Sequence, residues 1–169
     1  IADDVKVQVE FNPAEVAEYR LIGYETRALR REDFNNDAVD AGEIGAGHQV
    51  TALYEVTPVG SPARLTDDLR YQSGATSSPT GEGELGFLRL RHKAPGAADS
   101  ELIEMPITAS APPAPDAGFA QAIAGFGQLL RGSDYLGGWS WDDAITLANA
   151  SRGDDPFGYR GEAVQLMRL

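Results

Sequence analysis

The acidic loop carrying Asp33, Asn35, Asp37, Asp40 and Glu43 brings several carboxylate and amide oxygens close together in the sequence. Hard cations such as calcium need about six to eight oxygen ligands converging in a compact loop, so this segment is the candidate metal site. Asp33, Asn35 and Asp37 occupy the first, third and fifth positions of an EF-hand-like loop. Ala38 stands where the turn glycine belongs, and Ile44 where the bidentate glutamate belongs. Solvated acids, helix caps and partners for Arg27, Arg30 and Arg31 are the competing readings. The expectation is a chain without a required cofactor, with calcium as the cation to test.

His48 follows Gly42, Gly45 and Gly47 and stands near Glu43 in sequence, the arrangement of a carboxylate-oriented general base. No matching nucleophile accompanies it, and the chain is expected not to be an enzyme. His92 shares a strand face with Leu88 and Leu90 and reads as a packed or hydrogen-bonded histidine. Two histidines without a spacing motif do not make a zinc site. The three glycines lead into a strand, whereas a phosphate-cradling loop leads from strand to helix, so they read as a turn or bulge. Tyr135, Trp139 and Trp141, beside Gly137 and Gly138, offer an aromatic surface for a sugar or a peptide. Docking of helices onto a sheet is the competing role for these rings.

The elements that must position these groups change character along the chain. Val5, Val7, Val9 and Phe11 alternate with Lys6, Gln8 and Glu10, which predicts a strand with the apolar set buried. Asn12-Pro13 ends it, and Pro13–Tyr19 is expected to form a helical turn capped by Asn12. Further strands are expected over Arg20–Thr26, Val50–Thr57, Leu69–Gln72, Leu85–Lys93 and Glu101–Ile107, the last two joined across Pro95-Gly96. Ala28–Ala41 reads as a long ordered loop, and Ser73–Glu84 as a turn-rich surface loop. Beyond the Pro/Ala-rich connection at 111–117, Phe119, Ile123, Phe126 and Leu130 form a helical stripe between Asp116 as cap and Gly132 as stop. Ser140-Trp141-Asp142-Asp143 resembles a capping box for a second helix, and Asp154-Asp155-Pro156 opens a third. The prediction is an α+β domain over 1–169. An antiparallel β-sandwich-like part (1–110) is followed by a cluster of about three helices (118–169).

Fourteen Lys and Arg against 26 Asp and Glu give a formal charge of -12, which opposes binding to nucleic acid or anionic lipid. The absence of Cys excludes disulfides and sulfur-ligated zinc. No apolar run approaches the roughly 20 residues of a membrane span, so the domain itself is not expected to insert into a membrane. Ile1-Ala2-Asp3-Asp4 lacks the pattern of a signal peptide, and the chain is expected to be a piece of a longer protein with any targeting segment upstream.

Several ordered stretches resemble a bacterial domain that follows a von Willebrand factor type A domain. They are Val5–Pro13, Tyr19–Glu25, Asp40–His48, Val50–Glu55, Phe126–Arg131 and Asp155–Arg160. The resemblance spans essentially the whole chain. It implies a bacterial cell-envelope protein, periplasmic or lipoprotein-anchored through an upstream segment, with the neighbouring von Willebrand factor type A domain and a further protein as partners. The metal-adhesion motif of that neighbouring domain, Asp-x-Ser-x-Ser, does not occur here, so its metal is assigned to no residue of this chain. The expected role is a non-enzymatic accessory or protein-interaction domain; the alternative is a calcium-stabilised or carbohydrate-binding module.

Overall fold

The computed structural model describes residues 1–24, 27–67 and 83–169. Within them the chain forms two compact units, Ile1–Ala111 and Pro112–Leu169, whose boundary lies inside the Pro/Ala-rich connection. The first holds antiparallel strands and the second three helices, so the α+β expectation holds.

The strands described are β1 (Ala2–Phe11), β2 (Val16–Ile22), β3 (Gly42–Ile44), β4 (Leu53–Pro58), β5 (Glu84–Lys93) and β6 (Glu101–Thr108). They build a four-stranded sheet in the order β3-β1-β5-β6 and a two-stranded sheet of β2 and β4. The helical turn expected over Pro13–Tyr19 does not form. Asn12 Oδ1 accepts from the Ala14 amide at 3.0 Å and Asn12 Nδ2 donates to the Glu84 carbonyl at 2.9 Å, closing a tight turn instead. The chain therefore re-enters extended structure at Val16, earlier than expected for the second strand. Gly42–Ile44 is itself a short strand on β1, and β4 begins at Leu53 rather than Val50. The strand expected over Leu69–Gln72 lies outside the described residues, as does nearly all of the Ser73–Glu84 loop.

Strand register decides which side chains share a face. Val7 stands opposite Leu90, and Leu90 opposite Ile103; Val9, Leu88 and Met105 form the parallel row. The other face carries Lys6, Arg91 and Leu102, then Gln8, Arg89 and Glu104. This polar face is the covered one at the Lys6 end. A 3-10 turn at Arg31–Asn35 places buried Phe34 beneath the Arg91 guanidinium, 5.7 Å from ring centroid to cation. Lys6 is only 3% exposed, whereas Val7 is 50% exposed. The expectation that Val7 points inward is thus corrected: the alternation is real, but the segment that covers the sheet lands on the opposite side. Phe11 joins the two sheets, packing on Tyr19 and Tyr54 with ring centroids 4.5 and 5.3 Å away.

The second unit comprises α1 (Ala117–Arg131), α2 (Trp141–Ala150) and α3 (Tyr159–Met167). Its core is Ala122, Ala144, Ala148, Val164 and Met167, with Phe119, Phe126, Leu129, Trp139, Ile145 and Leu147 packed around it. Alanine at the contact positions lets the helix backbones approach closely. Phe119 and Phe126 of the expected stripe face this core, but Ile123 and Leu130 are exposed, so the buried side is turned toward Ala122 and Leu129. Gly132, at φ 62°, ends α1 in the left-handed conformation expected of it.

The Ser140 capping box is formed as read: the Asp143 amide donates to Ser140 Oγ, and the Ser140 amide donates to the Asp143 carboxylate. Asp116 does not cap α1; its carboxylate accepts from Arg160 Nη2 at 2.6 Å. The third helix begins at Tyr159 rather than at Pro156. Asp155 reaches across the intervening turn to accept the Arg160 and Gly161 amides at 3.2 and 2.7 Å.

Candidate functional site

The acidic segment is knitted into the first unit by internal cations and hydroxyls. Asp33 pairs with Arg30 at 2.7 Å, and Asn35 Oδ1 accepts from Arg91 Nε at 3.1 Å. Asp37 accepts from both the hydroxyl of Ser100 at 2.6 Å and its amide at 3.2 Å. Two backbone carbonyls of the same segment receive ammonium groups: Asn36 O from Lys6 Nζ at 2.5 Å, and Asp37 O from Lys93 Nζ at 2.7 Å. Lys93 also pairs with Asp4 at 2.7 Å, and the other Asp4 oxygen accepts the Ala41 amide. Asp40 and Glu43 lie exposed farther along. Among the described residues, no group of three or more His, Asp or Glu is placed to hold a metal ion.

The electrostatics follow this pairing. The Lys93 hydrogen bond and the Ala41 amide hold the Asp4 carboxyl below its usual range, and the same Asp4 bond raises Lys93. The two Ser100 bonds do the same for Asp37. Lysine ammoniums thus sit on two backbone carbonyls of the segment, while its Asp33, Asn35 and Asp37 side chains are engaged by Arg30, Arg91 and Ser100. Sequence reasoning missed Lys6, Lys93, Asp4 and Ser100 as members of this arrangement. Lys6 stood in the sequence as one of the polar residues of an alternating strand, with nothing local to mark it.

The other sequence candidates have surroundings of their own. The His48 ring lies against Gly45, where an added Cβ would sit 3.0 Å from Nδ1. His92 faces Glu101 across the β5–β6 ladder, with Nδ1 buried and without a hydrogen-bond partner. In the helical unit, Trp139 packs against the core and over Gly125, so the indole serves packing there. Trp141 meets the Phe126 ring edge to face at 5.6 Å and remains partly exposed, as does Tyr135. Phe157 and Tyr159, 6.0 Å apart and stacked, add an exposed aromatic pair that the sequence reading did not single out. No helix among the described residues is long and apolar enough to cross a membrane.

What the first unit leaves uncovered is more distinctive than what it gathers. Ile103 and Met105, 51% and 53% exposed, continue the open face begun by Val7. Leu102, on the opposite face of the same strand, is 42% exposed. Leu88 and Leu90, on the same face as Val7, Ile103 and Met105 and between them, are half-buried.

Fold and surface together define a two-unit α+β module with an uncovered sheet. The chain belongs to the family described as "Uncharacterized protein YfbK, C-terminal", which matches residues 1–169. It is 48% identical over 174 residues to the uncharacterized protein YfbK of Escherichia coli (strain K12), across 100% of this chain. The chain spans 30% of that relative's length. No solved structure matches it.

Proposed function

We propose that this chain is a non-enzymatic accessory or protein-interaction domain within a longer bacterial cell-envelope protein, and that a von Willebrand factor type A domain is its neighbour and partner. The observation that carries the interaction role is the exposure of Val7, Ile103 and Met105 on one face of the four-stranded sheet. Family membership, in a relative more than three times as long as the matched part, supports a module that works beside other segments. The neighbouring domain and the envelope location rest on the sequence resemblance. Co-purification of the long protein with and without this domain tests the role. Loss of specific partners is the expected result, and an unchanged partner set sinks it.

A second reading, a calcium-stabilised or carbohydrate-binding module, is favoured on its carbohydrate side by the exposed rings of Tyr135, Trp141, Phe157 and Tyr159. Calorimetric titration with a glycan panel, and melting with calcium or chelator, tests it. Flat titrations and unmoved melts remove it.

A further inference from the structure

We propose that in the longer proteins of this family a strand from polypeptide outside the matched domain adds to the edge of the sheet along β6. This rests on the interaction reading above and assigns it a place and an occupant.

The two edges of the four-stranded sheet differ. β3 is three residues long, and its pairing to β1 is interrupted by a register shift, both of which blunt an edge against further pairing. β6 is eight residues long, and among the described residues no strand lies on its outer side. Every position from Glu101 to Pro106 is exposed. A long, apolar, unpaired edge carries a row of free amides and carbonyls that natural proteins cover or disrupt. Pro106 disrupts only the far end, because it has no amide to offer.

The exposed apolar residues of β6 also select the mode of contact. Ile103 and Met105 project to one face of the sheet and Leu102 to the other. A body resting on the apolar face would reach Ile103 and Met105 and leave Leu102 in water. A strand laid alongside β6 reaches all three, because its own side chains alternate between the faces, and its backbone satisfies the free edge. Glu104, nearest the centre of the strand, is paired with Arg89 at 3.1 Å.

The occupant is argued from length and charge. The matched domain is 30% of the relative, so most of that polypeptide lies outside it and is tethered to it. A tethered strand binds at the high effective concentration of an intramolecular partner. A second copy would bring together two bodies of formal charge -12, which disfavours self-pairing.

Hydrogen exchange resolved by residue tests the idea in this 169-residue chain and in the complete E. coli relative. In an antiparallel edge strand only alternate amides point to the neighbouring strand, and a covered edge protects them all. The expected result is alternating protection at Glu101–Met105 in this chain. Continuous protection is expected at the aligned residues of the relative, with the newly covered amides slowed at least about 100-fold. Alternating protection in both overturns strand addition, while partner loss in co-purification would still uphold the interaction role. Continuous protection already present in the 169-residue chain overturns it as well. So does protection in the relative that fades on dilution, which would make a second copy the occupant.

Discussion

The two units solve the problem of an interior in opposite ways. In Pro112–Leu169 five apolar residues, three of them alanines, close a core between helices. In Ile1–Ala111 the buried apolar residues described are Val16 and Phe34 alone, and a buried lysine, Lys6, sits beside an exposed valine. The helical unit closes on hydrophobic packing. The strand unit combines limited burial with a polar network of Asp4, Lys6, Asp37, Lys93 and Ser100, and leaves Val7, Ile103 and Met105 exposed on one face of its sheet. A unit built this way presents a surface that still gains from being covered.

The largest test of this contrast removes one large buried side chain from each interior. Phe34→Ala should destabilise the strand unit by about 3–5 kcal/mol, and Met167→Ala the helical unit by about 2–5 kcal/mol. Both tryptophans lie in the helical unit, so fluorescence during urea unfolding reports that unit. Exchange of β5 amides reports the other. If Phe34→Ala left β5 protection unchanged, the small buried cluster under Arg91 would not be what holds the sheet's covered face.

A smaller effect separates the two faces of β1. Lys6→Met keeps the side-chain volume but removes the donor to Asn36 O, and should cost about 1–3 kcal/mol. Val7→Thr, at an exposed position, should stay within about 0.5 kcal/mol. The opposite order, measured by β5 exchange, would return Val7 to the interior and remove the open face on which the interaction reading stands.

That reversal also shows what the sequence can and cannot disclose. Features set by neighbouring residues were legible: the β5–β6 hairpin, the Ser140 capping box and the Gly132 stop all follow from local geometry. The buried side of β1 was not, because it is decided by a segment some thirty residues away, held by Lys6 at Asn36. The acidic run was visible as chemistry, but its fate depended on Lys93 at the end of β5 and Ser100 just before β6. The start of α3 was misplaced because Asp155 acts across a turn rather than at the adjacent position.

On the helical side, Ser140→Ala should cost about 1 kcal/mol by removing the acceptor of the Asp143 amide. Tryptophan fluorescence during urea unfolding should show it as a lowered midpoint with unchanged slope. An unmoved midpoint would mean that the Asp143 half of the box holds the first turn of α2 by itself.

The finest distinction is in pH. Asp4 and Asp37 in the strand unit, and Asp143 and Asp155 in the helical unit, have lowered pKa values through the hydrogen bonds they accept. Their stabilisation is present above the ordinary carboxylate value near 4 and is lost as pH falls through the lowered folded values, so acid should weaken both units. The alkaline side differs. Lys93 is raised by its Asp4 bond and Tyr54 by burial, and both belong to the strand unit. A raised value contributes stability below the unfolded pKa, near 10 for these two groups, that is lost as pH rises through the folded one. Between neutrality and about pH 11, β5 protection should therefore fall more than the helical fluorescence midpoint, and Lys93→Met combined with Tyr54→Phe should flatten the difference. Equal alkaline loss in both units would show that the polar network is not what distinguishes the strand unit's interior from the helical one.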